Sequence, residues 1–288
     1  AEEQIEHLHA AAADAGRTAQ LLIDMQGPEL RVGALEAPLS LEEGAHVTLG
    51  AGGIPVPALV FPALVPGQEV LMDDGKLLLE VVSAGEDRAS ARVLRGGVLQ
   101  GRKSIALPGS SLRPPTMTET DLTNIRLAKA YGVTAVMQPF VRDRQDLETV
   151  RAALAEAGAP DIRLFAKIEN LEGVRNLPQL LGACDEIVIA RGDLGNAMPL
   201  WELPRVQKEI AAACREAGRP FMVVTQMLAS MEHSAVPTRA EVSDIFNAVL
   251  DGAASVMVTG ETAVGGYPVE VIRYMANTVR EALAYLGR

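Results

Sequence analysis

Hydrophobic positions along this chain fall into two textures. Over residues 17–24, and again from residue 132 onward, short apolar runs rich in β-branched residues alternate with stretches of helical period. That is the pattern of βα units feeding a parallel sheet. Six runs predict strands: residues 20–24, 134–139, 163–168, 186–190, 221–225 and 255–259. Between about residues 33 and 109 the chain instead has short alternating runs broken by Ala51-Gly52-Gly53, Val65-Pro66-Gly67 and Asp73-Asp74-Gly75, with no convincing helix. This predicts an all-β domain set into an α/β domain. The expected boundaries are 1–28 with 114–288 for the discontinuous α/β domain and 29–113 for a β-barrel-like lid.

The helical stretches carry their own punctuation. Thr116-Met117-Thr118-Glu119 offers hydroxyl caps and an early acid ahead of Leu122, Ile125, Leu127 and Ala128, and Gly132 closes the segment. Pro237-Thr238-Arg239-Ala240-Glu241 starts another helix, with Val242, Ile245, Phe246 and Val249 as an apolar stripe that reads as core. Helices outside a parallel sheet, with polar residues gathered where strands end, suit a TIM-type (β/α) barrel, whose site lies at the C-terminal rim. A doubly wound sheet would carry a glycine fingerprint after its first strand. Here Asp24 is followed by Met25-Gln26-Gly27-Pro28-Glu29, so the barrel is preferred. Its rim collects Asp24, Phe140, Lys167, Glu169, Arg191, Asp193, Thr225, Gln226 and Glu261.

Composition narrows the partners. The 288 residues are 48% hydrophobic and 22% charged, which is ordinary for a globular protein with one large or two modest cores. A formal charge of −11 argues against a nucleic-acid surface, so an anionic ligand needs local Lys, Arg, metal or backbone N–H groups. Cys184 and Cys214 have neither metal-site spacing nor a disulfide framework, which fits a reducing cytosol and a cytoplasmic location. No apolar run is long enough to span a bilayer. The chain opens on Ala rather than Met, consistent with a lost N-terminus.

The sharpest chemical signal is Lys167-Ile168-Glu169-Asn170 followed by Ala190-Arg191-Gly192-Asp193-Leu194-Gly195, each closing an apolar run. If both runs are neighbouring parallel strands continued through these residues, Lys167 and Glu169 face one way, as do Arg191 and Asp193. Two carboxylates and a lysine then meet at one rim, suited to holding a divalent cation beside an enolate or phosphoryl group.

Those segments, with Thr225-Gln226-Met227-Leu228, Pro237-Thr238-Arg239-Ala240-Glu241-Val242-Ser243-Asp244 and Gly260-Glu261-Thr262-Ala263, occur in the order and spacing of the pyruvate kinase family. The likeness extends upstream through Asp24, Gly27-Pro28-Glu29-Leu30-Arg31, Asp73-Asp74-Gly75, Gly96-Gly97, Arg102-Lys103 and Leu107-Pro108-Gly109, and so covers nearly the whole chain. The resemblance implies phosphoryl transfer from phosphoenolpyruvate to ADP, giving pyruvate and ATP. It implies Mg²⁺ or Mn²⁺ on Glu169 and Asp193, Lys167 as the lysine that stabilises the phosphoryl group and enolate, and Thr225 as the hydroxyl linked to enolate protonation. The backbone from Ala190 through Arg191, Gly192 and Asp193 resembles the helix N-terminus that receives the substrate carboxylate. Arg31 resembles a catalytic arginine near the nucleotide phosphates, and Asp24 a potassium ligand.

Plainer readings stand beside some of these. Asp73-Asp74-Gly75 is kept as a hairpin turn, and Arg102-Lys103 as a solvated basic pair. Glu261 is open between a helix cap and a nucleotide-side contact. His7, His9 and His233 are expected at the surface, and Cys184, Cys214 and Trp201 receive no role. The chain also departs from the family. Met25-Gln26 stands where the family has Thr-Lys, and Pro139 and Thr259 each stand where it has Ser. Only six of eight strands are found, and the family's C-terminal domain has no counterpart. A separate N-terminal segment or homo-oligomerisation is therefore expected to complete the barrel, and potassium dependence is expected to be altered. Alternatives are a relative that uses the metal–enolate half-site for a lyase, decarboxylase or tautomerase reaction on pyruvate or a related 2-oxo acid, and a non-catalytic relative.

Overall fold

The computed structural model describes residues 2–73, 75–110 and 112–287. It divides into two compact units, residues 1–27 with 116–288 and residues 28–115. The chain enters the first unit through α1 (Glu2–Asp14) and β1 (Leu22–Asp24), then leaves it at Pro28.

The second unit holds β2 (Leu39–Leu41), β3 (His46–Gly50), β4 (Glu69–Met72), β5 (Leu77–Ala84), β6 (Arg88–Arg95), β7 (Gly97–Leu99) and β8 (Ile105–Ala106). Strands β3-β6-β5-β4-β8 form an antiparallel sheet, and β2 pairs with β7. Alternate residues of β5 and β6, including Leu77, Leu79, Val81, Ala89, Ala91 and Val93, enter one core, the period-two signature that made this region legible as β. Two details differ from expectation. A 3-10 helix spans Ala58–Ala63, with Pro62 inside it. Lys103 is not a solvated cation, because its Nζ lies 3.0 Å from the Asp73 carboxylate. Asp73, at φ +49°, does open the turn between β4 and β5, where the Lys76 N–H donates to its carbonyl at 3.1 Å. Asp74, the middle of that expected turn, lies outside the described residues.

Back in the first unit come α2 (Glu119–Ala128), β9 (Ala135–Gln138), α3 (Arg144–Glu156), β10 (Arg163–Ile168), α4 (Leu171–Arg175), α5 (Leu177–Leu180), β11 (Glu186–Ala190), α6 (Arg191–Asn196), α7 (Leu203–Glu216), β12 (Phe221–Val224), α8 (Arg239–Leu250), β13 (Ser255–Met257), α9 (Gly260–Ala263) and α10 (Pro268–Tyr285). Among the described residues the six strands form one parallel sheet in the order β1-β9-β10-β11-β12-β13, leaving β1 and β13 as its edges. The fold is therefore the curled (β/α) barrel type with six strands in the sheet. Alternation assigns the faces. Val136, Leu164, Ile168, Ile187, Ile189, Phe221 and Val223 pack with the helices, whereas Ala135, Met137, Phe165, Val188, Ala190, Met222 and Val224 form a separate cluster on the opposite face. Both faces are buried, which is why these strands read as continuous apolar runs.

Helix ends follow the sequence signals. Thr118 caps α2 and Thr238 caps α8, each in a reciprocal box with the acid three residues on, Asp121 and Glu241. In α3, Asp143 is the N-cap, and buried Asp146 accepts from Arg142 Nε at 2.9 Å, Arg142 Nη2 at 2.7 Å and Thr116 Oγ1 at 2.6 Å. Burial pushes the Asp146 carboxyl up, but the Arg142 and Thr116 hydrogen bonds outweigh it and hold the group below the ordinary aspartate value of 3.8. A depressed folded-state pKa contributes stability that is present above pH 3.8 and lost as pH falls through the folded-state value. Asp146→Asn is therefore expected to cost about 2 kcal/mol at pH 7 and to flatten the loss of stability below pH 4, as read from urea unfolding at several pH values. Equal acid sensitivity in both proteins would refute the assignment.

Candidate active site

Strand β10 ends by placing Lys167 on the face opposite the helix layer, and Glu169 follows two residues later. Lys167 Nζ lies 3.1 Å from Glu169 Oε1 and 3.3 and 3.4 Å from the Asp24 carboxylate oxygens. Asp24 arrives from β1, whose next neighbour in the sheet is β9 and then β10. The Glu169 side chain is 2% exposed, Lys167 14% and Asp24 49%. Glu169 Oε2 also accepts from the Phe140 N–H at 2.7 Å, and Phe140 sits in the left-handed region at φ +53°. The loop after β9 is thus bent to aim a backbone donor at this carboxylate.

The electrostatics are unbalanced towards negative charge. Burial lowers the Lys167 pKa, but Glu169 and Asp24 outweigh it, so the ammonium holds its proton more firmly than an ordinary lysine. Glu169 is pushed up to about 7 by burial foremost; Lys167 pulls it down, and the nearby charge of Asp193 pushes it up again. Lys167 therefore faces two carboxylates, Glu169 and Asp24, while the charge of Asp193 acts on Glu169. Hard oxygen donors with surplus negative charge suit a hard divalent cation, which commonly uses one or two protein carboxylates and takes its other ligands from substrate and water.

At the next strand the sequence expectation needs correction. Arg191 and Asp193 are not strand residues facing one way, because β11 stops at Ala190 and α6 begins at Arg191. A helical turn separates the two side chains by roughly 200°. Asp193 is left near Glu169, while Arg191 turns to β12 and α8. Its Nη2 and Nε donate to the Thr225 carbonyl at 2.6 and 3.2 Å, and its Nη1 to Asp244 Oδ2 at 2.6 Å.

Thr225 follows β12 with φ +78°, and Gln226 has φ +56°. A β-branched residue there is a genuine outlier, costing on the order of 1–3 kcal/mol, and such strain concentrates at functional sites. Thr225 also leans on α6. A Cβ added at Gly192 would lie 3.0 Å from Thr225 Cγ2, so glycine allows the two segments to approach.

The structure thus brings Asp24, Lys167 and Glu169 together, with the charge of Asp193 acting on Glu169, and it links Arg191, Gly192 and Thr225. Arg31 belongs to the second unit, where it pairs with Glu29 at 2.6 Å and donates to the Arg102 carbonyl at 2.8 Å. Glu261 is buried, accepting from the Thr259 N–H at 2.7 Å and the Leu228 N–H at 3.2 Å, so it ties the first turn of α9 back to Thr259 and across to the loop after β12. His7, His9 and His233 are exposed. Sequence reasoning missed Asp121 and Asp244. The early acid that marks that helix in the sequence is Glu119 rather than Asp121, and Asp244 enters only as the end of a family segment.

Fold and site define a (β/α)-barrel protein with a lysine and carboxylates at the C-terminal strand ends and an inserted β unit. Comparison with known sequences makes this specific. The family model "Pyruvate kinase, barrel domain" matches residues 1–272. Pyruvate kinase of Chlamydia pneumoniae is 38% identical over 270 residues, covering 91% of this chain and 56% of that protein. The Geobacillus stearothermophilus enzyme is 38% identical over 283 residues (94% and 48%), and that of Aeropyrum pernix 39% over 286 residues (98% and 62%). The chain belongs to the pyruvate kinase family, and it spans about half to three-fifths of the length of these relatives. Among the described residues, no helix is long and apolar enough to cross a membrane.

Proposed function

We propose that this chain supplies the barrel site of an enzyme that transfers the phosphoryl group of phosphoenolpyruvate to ADP. The observation that carries this is the buried Lys167–Glu169 pair at 3.1 Å, with Asp193 adding negative charge at Glu169. Glu169 and Asp193 would hold Mg²⁺ or Mn²⁺, which when bound supplies charge neutralisation and a template for substrate oxygens. The substrate carboxylate is assigned to the backbone from Ala190 through Asp193, where Gly192 keeps the approach open. The phosphorus–oxygen bond to the enol oxygen breaks as a bond to the ADP terminal oxygen forms. Lys167, firmly protonated, offsets charge on the phosphoryl oxygens and on the enolate left behind. The enolate carbon then takes a proton from solvent by way of the Thr225 hydroxyl, giving pyruvate. Arg31, in the second unit, is assigned to the nucleotide phosphates, and Asp24 to potassium. The open edges of β1 and β13 are assigned to two strands supplied by a separate N-terminal segment or a second copy. A cytoplasmic location fits both the substrates and the two unpaired cysteines.

A coupled assay for pyruvate, with and without ADP and divalent metal, tests this in the intact protein. ADP- and metal-dependent pyruvate formation is expected. Met25-Gln26 in place of Thr-Lys, on the loop next to Asp24, favours a second reading in which the same site only enolises pyruvate or a related 2-oxo acid. No ADP-dependent turnover, with metal-dependent exchange of the pyruvate methyl protons, would establish that reading instead. Glu169→Gln removes a metal oxygen's charge. Since even residues that merely orient ligands are worth about 10- to 100-fold in affinity, it is expected to raise the activating metal concentration about 100-fold, measured by metal titration.

A further inference from the structure

Thr225 occupies a backbone conformation its own side chain disfavours, and the structure shows what holds it there. The Arg191 guanidinium forks onto the Thr225 carbonyl through two nitrogens, at 2.6 and 3.2 Å. Its third nitrogen is braced by Asp244 of α8 at 2.6 Å. The Arg191 side chain is only 12% exposed, and all three of its nitrogens are engaged. Gly192, the next residue, bounds the Thr225 methyl. Farther along the same loop, Glu261 holds the Leu228 N–H and Glu241 accepts from the Ser230 N–H at 2.8 Å and hydroxyl at 2.6 Å. The strained residue is therefore fixed at its carbonyl by a cation whose three nitrogens are each engaged within the protein. Fixing the carbonyl and φ sets where Cβ points, and the close approach of Gly192 to Cγ2 narrows the χ1 rotation that carries the hydroxyl.

We propose that Arg191, braced by Asp244, is a positioning residue that aims the Thr225 hydroxyl and adds nothing to substrate affinity through its charge. This rests on the proposed phosphotransfer only for what the hydroxyl does; the clamp itself does not depend on it. A lysine cannot replace the fork, since it offers one nitrogen to two acceptors.

The test is Arg191→Met and Arg191→Lys in the intact protein, each alone and combined with Thr225→Ala. Misplacing a reacting group by about 1 Å costs about 100-fold, so kcat is expected to fall about 100-fold for both, with KM for phosphoenolpyruvate changed less than about twofold. In the Thr225→Ala background the same changes are expected to cost less than about threefold, because residues acting as one unit are not additive. A crystal structure of Arg191→Met is expected to show Thr225 relaxed to negative φ. Equal losses in both backgrounds, a loss carried by KM, or an unmoved Thr225 in that crystal each overturn the proposal. Asp244→Asn, which keeps the Arg191 charge, serves if the Arg191 variants fail to fold. It is expected to lower kcat about tenfold, the scale of one weakened charge-assisted hydrogen bond, and an unchanged kcat counts against the clamp. If the wild-type protein makes no pyruvate from phosphoenolpyruvate, the phosphotransfer assignment fails and the crystal structure alone decides the clamp.

Discussion

Replacing Lys167 by Met is expected to lower turnover of phosphoenolpyruvate by about a thousandfold or more while leaving divalent-metal binding in place. The size follows from where the charge sits. Lys167 is 14% exposed and faces Glu169 and Asp24 within 3.1–3.4 Å, so its field is only weakly screened by water. One preorganised donor at a developing negative charge is worth about 100- to 1,000-fold even when neutral, and a fixed cation near a transferring phosphoryl group is worth about 10³ to 10⁵. Methionine keeps the length and the apolar stem, so the packing against β10 and its neighbours survives. Metal binding survives for a different reason. Lys167 is not an oxygen donor, so its removal takes no ligand away from Glu169 and Asp193. Steady-state kinetics together with Mn²⁺ binding in the absence of substrate separates the two effects. A variant that keeps wild-type turnover would remove Lys167 from the chemistry. One that loses metal and turnover together would make it part of the metal site's support instead.

The sequence revealed the Lys167–Glu169 pair because both residues sit at the end of one strand, where period-two alternation is enough to place them on one face. The six strands and the inserted β unit were legible for the same reason, since a sheet buried on both faces needs continuous apolar runs and a one-sided sheet needs alternation. What failed was continuity and distance. The strand through Glu186–Ala190 ends where expected, but the period-two rule was carried past its end onto Arg191 and Asp193, where α6 begins with no side-chain cap to mark the change. The 3-10 helix at Ala58–Ala63 is too short to show a period, and its Pro62 reads as a turn. The partnership of Lys103 with Asp73, and that of Arg191 with Asp244 fifty-three residues away, are set by strand and helix register. Local sequence says nothing about such pairs. Thr225 is the extreme case. Its side chain argues for extended backbone, and only its surroundings reverse that.

Asp121→Ala is expected to be the most destabilising single change in the first unit outside its apolar core, at about 3 kcal/mol, and to loosen Asp24 as it does so. Asp121 is fully buried, and its carboxylate accepts from the Gln26 N–H at 2.7 Å, the Gly27 N–H at 2.9 Å, and the Thr118 N–H and hydroxyl at 2.8 Å each. It therefore caps α2 and also grips the loop that leaves β1 with Asp24. Truncation strands the buried Gly27 N–H and leaves the part-buried Gln26 and Thr118 N–H groups without their acceptor, and an unsatisfied buried group costs about 1–3 kcal/mol before relaxation. Gly27 leaves the loop little room to relax elsewhere, since its φ is +61° and a Cβ there would collide with the Pro139 ring. Asp121→Asn is the sharper test. It preserves volume but turns an amide donor toward groups that are themselves donors, so it is expected to lose more than half of the stability that alanine loses. Urea unfolding measures both. If the asparagine variant is as stable as wild type, the carboxylate's acceptor capacity is not what fixes the loop, and Asp24 must owe its place beside Lys167 to β1 pairing alone.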